Sequence, residues 1–480
     1  MKSKSIKVNV ILNMLYQLLL VVVPFVTAPY ISRVIGTYGV GIYSFTGSIQ
    51  VVVALFATLG VAEYGAREIA RNRDDKAIYS RLFWEIEGLT IVTGLICLIG
   101  WMIFVFFTPQ YRIYYLILSL NIINAFLDIS WFFRGIEEFK YTVGQNSIAK
   151  ILGMILLFTC VKGPDDLWLY IFIMCISTLL GTCSMWIYLP RFLCRVKMRD
   201  IKIGRHFRET LVYFVPTIAT SIYTILDKTL IGIITKDSYE NGYYEQATKI
   251  INIVKSLTFT AVNAVMGSRI AYLFKENRKE EIKQNIRKSM DIIMFMAIGC
   301  CFGLLAVSDR FVPIFFGAGY DPVAFMIKVM SPVVVIIGVS NCIGTQYYTP
   351  AGLRKQSSGY LIFGSVINLI CNCIFIPLYK ANGAIVGTLI AESVIAFLYV
   401  KSGREYISVR SIWGCIYKKM IAGIGMGGIM LVYEHFVATG TLSLCVEIIL
   451  GVIIYVSVLL LIKDFSAEYI MGMFFKKRRE

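Results

Sequence analysis

Four lysines, Lys228, Lys249, Lys255 and Lys328, interrupt apolar runs long enough to cross a bilayer. An ionised side chain at the bilayer centre costs about 2.5 to 3.5 kcal/mol on insertion scales, so such residues mark substrate or ion paths by default. Their chemistry is anion binding. At about 1.5 Å of rise per residue, Lys255 stands roughly 18 Å from the outer end of its run, close to mid-depth. It has no acid at its level on the same helix, which makes it the first candidate to meet an anionic substrate. A lysine that snorkels, or pairs with a helix the sequence does not place, is the equal alternative. Asp227 and Lys249 stand roughly 12 and 9 Å down neighbouring helices, a geometry suited to a charge pair. Asp227 and Lys228 point about 100° apart on one helix, so only one of them can face a cavity squarely.

Arg33, Arg67 and Arg269 lie near helix ends, where a role in setting topology competes with contact to substrate. Among the acids, Glu392 falls mid-helix and is the candidate for proton or cation coupling. Glu85, Glu87, Asp128 and Asp291 lie nearer the ends of their helices, within reach of loop arginines. Asn121, Asn124, Asn341, Gln346, Asn368 and Asn372 add hydrogen-bonding groups that could meet a polar substrate, although bonds between helices are the commoner use of such residues. No nucleophile with a base, no metal-ligand spacing and no phosphate-binding GxxxxGK[ST] occurs. Catalytic residues, metals and cofactors are accordingly not expected. The twelve cysteines read as packing residues.

The elements carrying these groups are membrane helices. The chain is 57% hydrophobic and 16% charged, against about 25% charged for soluble domains. Fourteen apolar segments can be drawn: 8–30, 40–62, 83–107, 113–133, 144–161, 167–189, 210–235, 243–266, 289–307, 323–349, 359–377, 383–400, 420–437 and 442–462. The basic residues test that division. Arg33, Arg112, Lys162, Lys236, Arg310 and Lys380 stand one to each loop on one side, the four lysines and Lys150 lie within the segments, and all other Lys and Arg fall on the opposite side. A missed or invented helix would invert every later loop, so the pattern predicts fourteen helices with both termini cytoplasmic. The net charge of +17 follows from this asymmetry, and no nucleic acid is needed to explain it. The first apolar run has no small-residue cleavage site and reads as an uncleaved helix. The C-terminal KKRRE is a topology anchor or a contact for anionic lipid. The mixed-charge stretches 67–81 and 269–288 suit solvated amphipathic helices. Pro24, Pro216, Pro332 and Pro377 are candidate bends.

An internal repeat is legible. Val23-Pro24 opens a run reaching Gly41-Ile42-Tyr43, and Val215-Pro216 opens one reaching Gly242-Tyr243-Tyr244; Gly65-Ala66-Arg67 lies opposite Gly267-Ser268-Arg269. The expected organisation is an N-terminal lobe over 1–205 (helices 1 to 6), a C-terminal lobe over 206–402 (helices 7 to 12), and helices 13 and 14 with a basic tail over 403–480. Residues 23–45, with Gly36, Gly39 and Gly41, form the elbow between the first two helices.

PYISRVIGTYGVGIYSF, followed by LFATLGVAEYGAREIARNRDD, resembles the N-terminal signature of bacterial polysaccharide flippases, the O-antigen and capsular repeat-unit branch of the multidrug/oligosaccharidyl-lipid/polysaccharide exporter superfamily. NLICNCIFIPLYKANGAIVGTLIAE, ending at Glu392, resembles that superfamily's helix 11 to 12 hairpin, and Leu226-Asp227-Lys228 resembles its helix 7. The resemblance implies two six-helix lobes around a cationic cavity that alternates between two openings. It also implies a cargo of undecaprenyl-diphosphate-linked oligosaccharide in a bacterial cytoplasmic membrane. Lys255, Lys228, Arg269, Arg67 and Arg33 would then meet the cargo, while Asp227, Lys249 and Glu392 would serve coupling or charge pairing. Expected partners are the lipid-linked oligosaccharide, membrane lipids and a polysaccharide polymerase, with the protein itself a monomer. Two other readings stay open: a cation-coupled multidrug antiporter of the same superfamily, and a membrane polysaccharide polymerase, which the short outer loops disfavour.

Overall fold

The computed structural model describes residues 6–476, so residues 1–5 and most of the basic tail lie outside it. In chain order the helices are α1 (Ile6–Thr58), α2 (Val61–Arg71), α3 (Lys76–Phe107), α4 (Arg112–Leu127), α5 (Ser130–Gly135), α6 (Phe139–Cys160), α7 (Leu167–Trp186) and α8 (Phe207–Thr235). They continue as α9 (Ser238–Lys275), α10 (Lys279–Phe316), α11 (Asp321–Ile343), α12 (Arg354–Tyr379), α13 (Ala381–Ser402), α14 (Val409–Phe436), α15 (Thr441–Leu461) and α16 (Phe465–Lys476). Among the described residues there is no strand, as expected where the bilayer can accept only helices or a closed barrel.

Twelve of the described stretches are long and apolar enough to span a membrane. The first of them holds two expected helices, and α8 supplies one more, so every expected segment has its counterpart. Two details differ from expectation. The elbow is a single residue, because α1 stays helical on both sides of Gly36, which alone leaves the helical region at φ 72°. A left-handed φ costs an L side chain roughly 1 kcal/mol or more, which accounts for glycine at this position. Gly39 and Gly41 continue the helix, and Gly41 serves close approach instead: a Cβ there would lie 1.7 Å from the carbonyl oxygen of Ser238. The second difference lies after α11, which runs into a π-turn over Gly344–Tyr348 where a plain helix end was expected. Pro24 and Pro29 lie inside α1, Pro332 inside α11 and Pro377 inside α12; the side chain of Pro216 is outside the described set.

The chain divides into two compact units, residues 1–232 with 237–242, and residues 233–236 with 243–480. In the first unit α3 packs on α4, α4 on α7, and α6 on α7. In the second, α10 packs on α11, α11 on α13, and α12 on α13. Counting membrane helices, these are pairs 3–4, 4–6 and 5–6 followed by 9–10, 10–12 and 11–12. The recurrence gives the sequence repeat a structural counterpart. Compactness groups most of α8 with the first unit, where Phe56 meets Phe214 edge to face and Ser48 hydrogen-bonds Thr229 at 2.8 Å. Helices α14 and α15 pack on α10 in the second unit through a buried cluster that includes Ala422, Met426, Met430, Tyr455 and Leu459.

Candidate functional site

The four membrane lysines are half-buried, not enclosed. Lys328 forms an ion pair with Asp309. Lys249 and Lys228 each engage other groups. Asp227 is buried, with 4% of its surface exposed, and belongs to the first unit, whereas Lys249 belongs to the second.

Lys255, on α9, makes no hydrogen bond and no ion pair within 4 Å among the described residues. Its charge does act on that of Glu392, which is buried on α13 in the same unit. The structure therefore brings together two residues that the sequence places 137 positions apart. Glu392 supplies from α13 an opposite charge that the middle of α9 lacks. Beyond Lys255 along α9, Asn263 donates to the amide oxygen of Asn341 on α11 at 2.8 Å, and Thr345 in the π-turn donates to Asn263 at 3.2 Å. Gln346 in that turn is fully buried, and neither amide atom finds a hydrogen-bond partner among the described residues. The cation of α9 is thus followed by a polar ladder of amide and hydroxyl groups shared between α9, α11 and the π-turn. Such a ladder could follow a charged group and then a run of sugar hydroxyls.

The arginines lie apart from this arrangement. Arg33 is exposed beside the Gly36 bend and engages other groups. Arg67, exposed on α2, donates to the Tyr213 hydroxyl. Arg269 is exposed near the end of α9. Arg310, read from sequence as an outer-loop charge, is instead buried at 5% exposure between Glu434 and Glu447, at 3.6 and 3.4 Å, and ties α10 to α14 and α15.

The helix-end acids split in a way spacing does not reveal. Glu85 pairs with Arg81 at 2.9 Å and with His206 at 2.9 Å, and His206 in turn bonds the Tyr64 hydroxyl at 2.7 Å. This fastens the 189–206 connection to α2 and α3. Glu87, two residues on, is fully buried, and neither carboxyl oxygen has a hydrogen-bond partner among the described residues, so its expected loop arginine is missing. Two residues along a helix turn a side chain through about 200°, from the polar connection into the aromatic packing around Phe83 and Trp131. Asp291 is held by Lys419 at 2.8 Å, a lysine and not an arginine.

A family model described as "Polysaccharide biosynthesis protein" matches residues 6–266, more than half of the chain. The chain belongs to that family. The model described as "Lipid II flippase MurJ" matches residues 139–451 as well. Among curated proteins, "Putative O-antigen transporter" of Escherichia coli (strain K12) is 23% identical over 82% of this chain and 95% of its own length. "Probable low-salt glycan biosynthesis flippase Agl15" of Haloferax volcanii is 26% identical over 52% of each chain. Among solved structures, the lipid II flippase MurJ in an inward closed conformation aligns at TM-score 0.73 and 13% identity, over 95% of this chain and 99% of that one. An inward-facing multidrug-resistance MATE transporter of the MOP superfamily aligns at 0.58 and 13%, over 83% and 95%. At these identities the structures establish the fold. The family matches establish a multi-helix membrane protein of polysaccharide biosynthesis.

Proposed function

We propose that the protein is a flippase that carries an undecaprenyl-diphosphate-linked oligosaccharide repeat unit across a bacterial cytoplasmic membrane by alternating access. The observation that carries this reading is Lys255 at mid-depth, free of direct partners among the described residues and balanced at longer range by Glu392. A diphosphate offers the charge such an ammonium accepts. The asparagine and threonine ladder beyond it suits sugar hydroxyls. In this reading Lys255, Lys228, Arg269, Arg67 and Arg33 meet the cargo in succession, while Asp227, Lys249 and Glu392 return the charge between cycles or couple it to an ion. The functional lobes are 1–205 and 206–402, with 403–480 appended, and both termini are cytoplasmic. The protein acts as a monomer that delivers cargo to a polysaccharide polymerase. It is a carrier and not an enzyme, a reading supported by the transporter and flippase names of its relatives.

The test is Lys255→Ala in a strain whose surface glycan depends on this protein. Surface polysaccharide should fall at least about ten-fold, with lipid-linked intermediate stranded on the inner leaflet and protein abundance in the membrane unchanged; ten-fold corresponds to about 1.4 kcal/mol, less than one charge-assisted contact contributes. Wild-type levels of glycan would remove Lys255 from the cargo path. The fold likeness to a multidrug transporter keeps cation-coupled drug antiport as the second reading. Drug resistance on expression, with glycan unaffected, is the result that would favour it.

A further inference from the structure

A cavity of about 760 Å³ opens in the second unit where the N-terminal parts of α10 and α14 meet the link between α15 and α16. It is lined by Arg287, Lys288, Arg410, Lys418 and Lys463, with Asp291 and Asp464 at its base. The two carboxylates are already engaged. Both accept from the fully buried Lys419 at 2.8 Å; Asp291 also accepts from the Ser466 hydroxyl, and Asp464 from the Ser466 backbone N–H at 3.0 Å. Lys418 donates to the Lys463 carbonyl at 2.7 Å. The side chains of Arg287, Lys288, Arg410 and Lys463 make no hydrogen bond or ion pair with any described residue. With Lys419 included, six cations face two carboxylates, an excess of four positive charges gathered from three separate parts of the chain.

An apolar stripe flanks the cavity. Trp413, Tyr417, Ile421 and Ile424 on α14 are 63%, 41%, 56% and 59% exposed. Spacings of four, four and three place them in one stripe along the helix. Tyr417 also lines the cavity, so the apolar track begins at the cationic bowl. Phe465, which also lines the cavity, stacks on Tyr469 of α16 at 5.8 Å with both residues about half exposed, as in a helix lying at a membrane interface. A cationic bowl continuous with an apolar track is complementary to an amphiphile with an anionic head.

We propose that this cavity is a binding site for the phosphate headgroup of an anionic glycerophospholipid of the surrounding membrane, whose acyl chain lies along the α14 stripe. Arg287, Arg410 and Lys463 hold the phosphate, with Lys288 at the rim. Basic pockets between helices at the positively charged side of a membrane protein suit lipids of this class. The site lies on α10, α14 and the α15–α16 link and shares no residue with the proposed cargo path. It would stand even if the cargo assignment fell.

The experiment uses the full-length protein, purified in detergent, stripped of lipid, and exposed in turn to phosphatidylglycerol, cardiolipin, phosphatidylcholine and inorganic pyrophosphate. Native mass spectrometry then counts what is retained. Phosphatidylglycerol and cardiolipin should bind and phosphatidylcholine should not. The triple variant Arg287→Gln, Arg410→Gln, Lys463→Gln should bind the anionic lipids more weakly, on the order of a hundred-fold for three charges near the membrane surface. Because a triple change could impair folding, Arg410→Gln alone is read in parallel and should weaken binding several-fold with an unchanged melting temperature. Ile421→Ser should weaken phosphatidylglycerol and leave pyrophosphate unaffected. Equal retention of phosphatidylcholine, or anionic-lipid binding unchanged in both charge variants, overturns the proposal. Pyrophosphate binding as tightly as phosphatidylglycerol, with no effect of Ile421→Ser, assigns the bowl to a free anion and overturns the lipid.

Discussion

Lys419 shows how costly a single charge becomes once tertiary structure encloses it. It has no exposed surface and joins Asp291 on α10 to Asp464 at the start of α16, so one ammonium serves two carboxylates. Removing it would leave both acids buried without a counter-ion, which costs about 3 to 5 kcal/mol when one partner of a buried pair is lost. Lys419→Met should therefore lower the detergent melting temperature sharply, and adding Asp291→Asn and Asp464→Asn should recover much of the loss. An unchanged melting temperature in the single variant would show that these acids are hydrated in the membrane. Glu392 poses the complementary case. Its partner at long range is the Lys255 ammonium, so Glu392→Gln should leave Lys255 with an uncompensated charge and slow glycan export while leaving protein abundance intact. Export measured in Glu392→Gln and in the double variant with Lys255→Met separates the two roles: a pair that only stabilises would be rescued by the double change, and a cargo ligand would not.

Between elements, the decisive features are close approaches that apolar periodicity does not announce. Gly41 brings α1 against the start of α9, where a Cβ would lie 1.7 Å from the Ser238 carbonyl oxygen. Gly242 returns the same contact, since a Cβ there would lie 2.2 Å from the Thr37 carbonyl. Small residues at a crossing allow two membrane helices to pack backbone to backbone. Gly41→Ala should therefore cost more stability than Gly47→Ala, whose Cβ would meet nothing within 4 Å; thermal unfolding of the two variants in the same detergent makes the comparison. The reverse order would mean that this crossing is loose. Gly36→Ala tests the bend separately, with an expected penalty of roughly 1 kcal/mol from its positive φ.

For the whole molecule, the asymmetry of basic loops leads to a firm expectation about orientation. A fluorescent protein fused after residue 73 or 404 should fold and fluoresce, and alkaline phosphatase fused after residue 163 or 237 should be active, because only the sparsely charged loops would face outward. The opposite pattern at any one site would break the alternation. Helix number and family were legible in the sequence because hydropathy and loop charge act locally and additively along the chain, so each segment reports its own environment. The motif around residues 30–45 and the hairpin ending at Glu392 carried the likeness for the same reason. What the sequence could not reveal is which charges meet. Lys255 and Glu392, Arg310 and Glu447, and the Lys419 centre each join helices far apart in the chain, and hydropathy treats all of these residues alike. Whether a membrane charge is a bare candidate for cargo or a neutralised strut depends on the rotation and packing of its helix against others, and that was decided by tertiary structure alone.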